Sequence, residues 1–99
     1  MTRQRTTAIP RRSIGRTGLR VTELGLGGAP LGNLYRSVSA DAAAATVDAA
    51  VAAGIRYVDT APYYGFGLSE RRLGDGLREQ AADFVLSTKV GRLLRPLPG

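Results

Sequence analysis

The sequence predicts an α/β fold, specifically the first part of a larger α/β barrel with parallel strands. Strand-like and helix-like segments alternate along the chain after a short hairpin, and this order favours parallel strands joined by right-handed crossovers. The chain has 99 residues, enough for one domain. Three strands form a small open sheet with two exposed edges, which suits part of a barrel better than a complete sheet.

The lead-in, residues 1–11, is basic and lacks a hydrophobic period, so we expect it to be disordered. The first 20 residues carry six arginines and no acidic residue, whereas the other 79 carry eight basic and eight acidic residues. Nucleic-acid-binding domains more often spread positive charge over a folded face, so we expect no nucleic-acid partner. An electrostatic arm for nucleic acid or a membrane surface, and an Arg-rich transit peptide, are the alternatives.

The composition excludes several kinds of chemistry, because the chain contains no cysteine and no histidine. Disulfides, thiolate nucleophiles and cysteine metal sites are excluded, and we expect no metal. The commonest general base near neutral pH is also absent. No apolar run approaches the length that spans a bilayer, so we expect a soluble, cytoplasmic protein without a membrane partner.

The first elements are a hairpin and a short strand. Residues 12–21 predict the hairpin, with its turn at residues 16–18, where Gly18 permits a positive φ. Residues 23–28 predict a short strand that leads into a close-packed loop. Pro30 predicts that no helix begins immediately after this strand.

The alanine-rich segment 39–53 predicts the first helix. It contains nine alanines, with Ser39 as the N-cap and Gly54 just past its end. Alanine makes a thin helix that can lie close against a sheet. The β-branched and aromatic segment 55–59 predicts the next strand.

The remaining elements follow a loop over residues 60–68. Ser69 is expected to cap a second helix over residues 70–80, with leucines on its buried side. Residues 84–89 predict the last strand, and residues 92–99 have no pattern.

Three side chains are expected to meet at the carboxyl ends of two parallel strands. Asp59 is predicted to end one strand and Lys89 the next, and neighbouring strands lie about 4.8 Å apart, within reach of an ion pair. Tyr64 follows on the loop beyond the same end, where α/β barrels build their active sites. A buried ammonium beside a phenol stabilises the phenolate, so the phenol can exchange a proton with a carbonyl or carbinol oxygen.

We therefore expect Tyr64 to act as general acid or base, Lys89 to stabilise its phenolate and Asp59 to hold Lys89. Lys89 is the only lysine among 14 basic residues, and arginine cannot replace a titratable point charge. The alternative is structural: Asp59 caps the following loop, and Lys89 is an exposed strand end.

Several segments of the chain resemble the aldo/keto reductase family. Residues 54–65, GIRYVDTAPYYG, are similar to its first signature. Residues 69–74 and 86–90 resemble the helix and strand that follow this signature, and residues 15–21 resemble the hairpin at the start of the family's fold. Residues 27–35 and 89–92 resemble the branch of sugar and pyridoxal dehydrogenases. The resemblance covers roughly residues 12–96, in the family's order.

This resemblance implies a (β/α)8 TIM barrel that transfers hydride between NADP or NAD and a carbonyl or sugar-like alcohol. It implies catalytic roles for Asp59, Tyr64 and Lys89, and cofactor contacts from Gly28, Ala29 and Asp59. The family's fourth site residue, a histidine after the fourth strand, has no counterpart here. A whole barrel needs about 250 residues, so we expect an N-terminal segment over residues 12–99 that is inactive alone and binds cofactor weakly.

Two alternatives accompany this interpretation. In the first, the chain is a non-catalytic interaction protein that self-associates through its open sheet edges. In the second, it is a nucleic-acid-binding peptide that depends on the basic lead-in. Tyr63 and Phe66 flank Tyr64 and either form a wall of a substrate pocket or pack the loop. The glycines at 25–28 superficially resemble a dinucleotide fingerprint, but a Rossmann site is rejected because Pro30 stands at its sixth position.

Overall fold

The computed structural model describes residues 8–98, which begin with an antiparallel hairpin. Strand β1 (Arg11–Ser13) pairs with β2 (Arg20–Thr22), with Arg12 opposite Val21. The hairpin is confirmed, although it starts at Arg11, which the sequence assigns to the lead-in. Residues 1–7 of that lead-in lie outside the described residues. Gly18 has φ +79° in the connecting turn, as its position predicts.

A three-stranded parallel sheet forms the centre of the molecule. Its strands are β3 (Leu26–Gly27), β4 (Tyr57–Asp59) and β5 (Val85–Ser87), in the spatial order β3-β4-β5. Asp59 lies opposite Gly27 on one side and Ser87 on the other. All three strands are shorter than predicted, and within residues 8–98 they form a partial α/β structure without a closed barrel.

Helix α1 (Ala40–Ala52) forms where the alanine-rich segment predicts it. The Ser39 hydroxyl accepts a hydrogen bond from the Ala42 N–H at 3.1 Å, which confirms the N-cap. Val47 is buried on the inner face of α1 and lies against Gly76 of the second helix, where an added Cβ would be 2.8 Å from a Val47 methyl group. Small residues on both helices thus allow the close approach.

Helix α2 (Leu68–Leu77) begins two residues earlier than predicted and continues into a 3-10 helix, Arg78–Asp83. The expected cap at Ser69 is wrong: the N-cap is Gly67, whose φ is +97°. Ser69 lies inside the first turn and is fully buried. Its hydroxyl is used for tertiary hydrogen bonds, so it does not cap its own helix.

The expectation that Pro30 delays a helix is also wrong. A 3-10 helix, Ala29–Gly32, follows β3 directly and carries Pro30 in its first turn. Proline is tolerated there because the first N–H groups of a helix have no partner within the helix.

The core lies between the two helices, the 3-10 helix after β3 and the central strand β4. Val58 of β4 is 1% exposed and stands at its centre. The other buried members are Leu31, Ala43, Val47, Leu73 and Leu77. Within residues 8–98, no helix is long and apolar enough to cross a membrane.

Candidate active site

Asp59 and Lys89 form an ion pair at the carboxyl edge of the parallel sheet. Asp59 ends β4, as predicted. Lys89 was expected to end β5, but that strand ends at Ser87, so Lys89 lies on the segment that leaves it. The Lys89 ammonium donates to both carboxylate oxygens of Asp59, at 3.1 and 2.9 Å. Lys89 is exposed, as the structural alternative expects, but it is paired with Asp59.

Tyr64 completes the group of three. Its N–H donates to the Ala61 carbonyl at 3.2 Å within the loop that follows β4. The Lys89 Nζ atom lies 5.2 Å from the centroid of the Tyr64 ring, which is within the range of a cation–π contact. The loop thus brings the phenol beside the ion pair.

The ion pair shifts the titration of both its members. The hydrogen bond from Lys89 is the main cause that lowers the pKa of Asp59, partial burial opposes it, and Ser87 adds to it. The same bond to Asp59 raises the pKa of Lys89, with a further contribution from the Tyr64 side chain. The side chains of Lys89 and Asp59 are 49% and 39% exposed. The expectation of a buried ammonium is therefore wrong.

A buried hydrogen-bond network lies directly beneath these groups. The Lys89 ammonium also donates to the Thr60 carbonyl at 3.2 Å. The hydroxyls of Thr60 and Ser69 are 2.7 Å apart, and the Ser69 hydroxyl donates to the Gly28 carbonyl at 2.8 Å. Ser69 therefore links the end of β3 to the end of β4.

Gly28 is buried against this network. Its N–H donates to the Asp59 carbonyl at 2.7 Å, which extends the pairing of β3 with β4. A Cβ at Gly28 would lie 2.7 Å from the Ser69 hydroxyl and 2.8 Å from the Asp59 carbonyl. Close backbone approach accounts for the glycine, and its contact with a cofactor stays a prediction. Ala29 is partly exposed and is the first residue of the 3-10 helix.

Arg72 is a residue that sequence reasoning missed. Its guanidinium donates to the carbonyls of Leu31 and Val38 at 3.0 and 2.9 Å, and it lies 3.5 Å from the Asn33 side chain. It thus ties the loop after the 3-10 helix to α2. The available signal was its position beside the buried Leu73, which places it on the flank of the apolar face.

A cavity of about 250 Å³ opens beside Tyr64 and Lys89. Its other lining residues are Ala61, Pro62, Tyr63, Val90 and Arg92. Tyr63 packs edge-to-face on Phe66 with ring centroids 5.8 Å apart, and the Arg92 guanidinium lies 4.3 Å above the Tyr63 ring. Tyr63 thus both lines the cavity and packs the loop, whereas Phe66 is 73% exposed.

Carboxylate groups within residues 8–98 do not cluster in a way that suits a metal ion. The groups that the structure brings together at this rim are the Asp59 carboxylate, the Tyr64 phenol and the Lys89 ammonium. A phenol beside a cation at the carboxyl edge of a parallel sheet is suited to proton exchange with an oxygen of a bound small molecule.

A family model described as the aldo/keto reductase family matches residues 23–97. The chain belongs to the aldo/keto reductase family. The predicted resemblance is confirmed, with a matched segment that starts after the hairpin. In this aldo/keto reductase chain, the rim that joins Asp59, Tyr64 and Lys89 lies within the matched residues.

Two relatives are more than half identical to this aldo/keto reductase chain. Pyridoxal 4-dehydrogenase of Microbacterium luteolum is 56% identical over 87 residues, which cover 88% of this chain and 25% of the relative. D-threo-aldose 1-dehydrogenase of a Pseudomonas species is 58% identical over 82 residues, which cover 82% of this chain and 25% of the relative. The chain thus spans about a quarter of the length of these relatives.

A solved structure agrees with the fold. The holo form of the aldo-keto reductase AKR11C1 from Bacillus halodurans matches with a TM-score of 0.79 and 33% identity, over 88% of this chain and 28% of that one. The solved aldo/keto reductases that this chain matches are (β/α)8 barrels, so residues 8–98 correspond to part of such a barrel.

Proposed function

We propose that this chain supplies the Asp59–Tyr64–Lys89 part of the active site of an NADP- or NAD-dependent oxidoreductase. The substrate class is a small carbonyl compound or a sugar-like alcohol. The observation that carries the proposal is the position of Lys89, which donates to both carboxylate oxygens of Asp59 and lies 5.2 Å from the Tyr64 ring. The relatives' names, which include pyridoxal and aldose dehydrogenases, support the same class.

Each residue has a separate task in this proposal. The Tyr64 phenol donates a proton to the substrate oxygen during reduction and accepts it during oxidation. Lys89 stabilises the phenolate form electrostatically. Asp59 keeps the Lys89 ammonium charged and fixes its position, as the raised pKa of Lys89 indicates.

The cavity beside Tyr64 is large enough for the reacting groups. Its volume is about 250 Å³. A cavity of about 150 Å³ already accommodates a benzene ring. Ala29 and Asp59 stand at the rim where a nicotinamide cofactor would be held, and such a cofactor supplies the hydride when bound. The Gly28 N–H already donates to Asp59 and its carbonyl already accepts from Ser69, so its cofactor contact is the weakest of the three.

The test is a chimaera in which this chain replaces the matching segment of the Microbacterium luteolum relative. Identity of 56% over 87 residues makes the two sets of packing contacts compatible. The measurement is the absorbance of reduced cofactor during turnover of pyridoxal and of aldoses. We expect Tyr64→Phe to lower kcat about 10²–10⁴-fold, the usual contribution of a general acid or base.

Tyr63→Phe is the matched control, since it removes a neighbouring hydroxyl and leaves the ring in place. The proposal predicts near-parental kcat for this variant. If Tyr64→Phe retains parental kcat while the parental chimaera is active, Tyr64 is not the proton-transfer group.

Self-association is the second candidate, supported by the open edge of the sheet. Strand β5 has a neighbour on one side only within residues 8–98, and Leu86 on this strand is 60% exposed. A cavity of about 210 Å³ lies beside it, lined in part by Leu73, Leu77 and Phe84. Size-exclusion chromatography separates the candidates, because a folded dimer that Leu86→Lys dissociates supports association through this edge.

A further inference from the structure

Gly32 lies in contact with the backbone of Tyr64. It is the buried last residue of the 3-10 helix Ala29–Gly32. A Cβ built on Gly32 falls 2.3 Å from the Tyr64 carbonyl oxygen and 2.4 Å from its carbonyl carbon, whereas ordinary contacts begin at 3.4 Å. Only a bare α-carbon fits at this position.

The contact is reciprocal and involves a second glycine. A Cβ on Gly65, the residue after Tyr64, would fall 2.3 Å from the Gly32 carbonyl oxygen. Gly65 has φ +69°, so its conformation also favours glycine, but Gly32 is not among the residues with a positive φ. Space alone therefore requires glycine at position 32.

The backbone of Tyr64 is held from three sides. Its N–H donates to Ala61, its carbonyl accepts from the Ser69 N–H at 3.1 Å, and Gly32 packs against the same carbonyl. The first two contacts fix the loop to its own chain neighbourhood. The contact with Gly32 packs the Tyr64 loop against the 3-10 helix that follows β3.

A Cβ at position 32 would displace Tyr64 by a distance comparable with the range of its contact with Lys89. Relief of a 2.3 Å contact to 3.4 Å requires a movement of about 1 Å. The Lys89 Nζ atom is 5.2 Å from the Tyr64 ring centroid, and cation–π attraction extends to about 6 Å. A movement of the Tyr64 backbone by this amount changes the distance between the phenol and the ammonium, so that distance depends on the contact with Gly32.

We propose that Gly32 is a positioning residue for Tyr64, whose bare α-carbon sets the distance between the phenol and Lys89. The catalytic meaning of this distance rests on the function proposed above, but the contact itself does not. The three atoms nearest to a Cβ on Gly32 belong to Tyr64 and Gly65, and none belongs to Asp59 or Lys89, so their ion pair persists when Gly32 is enlarged.

The test uses the chain itself, because Lys89 is its only lysine and gives a single resonance after lysine-specific ¹³C labelling. We expect wild-type protein to show nuclear Overhauser contacts between the Lys89 side chain and the Tyr64 ring. Gly32→Ala should change the intensity of these contacts, while the raised pKa of Lys89, which depends mainly on Asp59, is retained. Gly74→Ala is the matched control, since an added Cβ there meets nothing within 4 Å and the contacts should remain.

Two outcomes overturn the proposal. One is a folded Gly32→Ala protein that keeps the Lys89–Tyr64 contacts at wild-type intensity. The other, which applies even if that variant does not fold, is wild-type protein without a contact between the Gly32 α-protons and the Gly65 N–H. An inactive parental chimaera would count against the proposed function and would leave both of these results interpretable.

Discussion

The Ser69 hydroxyl joins the ends of two strands at the scale of single residues. It is fully buried, donates to the Gly28 carbonyl and accepts from the Thr60 hydroxyl. We expect Ser69→Ala to lower the free energy of unfolding by about 1–3 kcal/mol, because it leaves the buried Thr60 hydroxyl without its partner. Urea denaturation measures the change, and Ser37→Ala at an exposed position should cost much less. Equal costs for the two variants would remove Ser69 from the network.

The ion pair of Asp59 and Lys89 gives stability a defined pH dependence. The pKa of Asp59 lies below its ordinary value of 3.8, so its contribution is complete above that pH and is lost as the pH falls through the lowered pKa. The pKa of Lys89 lies above its ordinary value of 10.5, so its contribution is complete below that pH and is lost as the pH rises through the raised pKa.

The difference in unfolding free energy between wild type and Asp59→Asn should therefore be constant between about pH 5 and pH 9 and shrink on both sides. Because both side chains are more than a third exposed, we expect the difference to be small and to decrease with salt. Asp48→Asn on the exposed face of α1 provides the comparison. A difference that grows on acidification would have the wrong sign for this account.

At the scale of elements, Arg72 connects helix α2 to the loop after the 3-10 helix. The Val38 N–H in this loop is bonded to the Asn33 side chain, and Arg72 holds the carbonyl of the same residue. Arg72→Met should increase hydrogen exchange of the Val38 amide and cost about 1.5–3 kcal/mol, the usual contribution of hydrogen bonds to a charged group.

Arg71→Met is the control for this change, because Arg71 is the exposed neighbour on the same helix. In Arg71→Met, hydrogen exchange of the Val38 amide should match that of the wild type. Unchanged exchange in Arg72→Met as well would show that the loop is held by other contacts.

The regular elements differ in how well their sequences predict them. Helix α1 was predicted to within a residue because Ser39, the alanines and Gly54 all act locally. Helix α2 was misplaced at its start because the Ser69 hydroxyl is used by Gly28, 41 residues away in the chain. A local capping rule contains no information about such a distant partner.

At the scale of the whole molecule, the order of the elements predicts the topology and the edge at which the site forms. Asp59 and Tyr64 could be placed because parallel strands bring their carboxyl ends to one edge. Lys89 was expected on β5 and lies beyond it, where its hydrogen bonds to Asp59 and Thr60, and not strand pairing, hold it at the rim. The backbone contact of Gly32 could not be predicted, because it depends on two loops meeting in space.

The most direct test of the account is an NMR titration of Lys89, the single lysine, in wild-type protein and in Asp59→Asn. The central claim is that the carboxylate and the ammonium meet at the rim beside Tyr64. We expect a wild-type pKa of Lys89 above the ordinary lysine value and a decrease towards that value in Asp59→Asn. The same ordinary pKa in both proteins would contradict it.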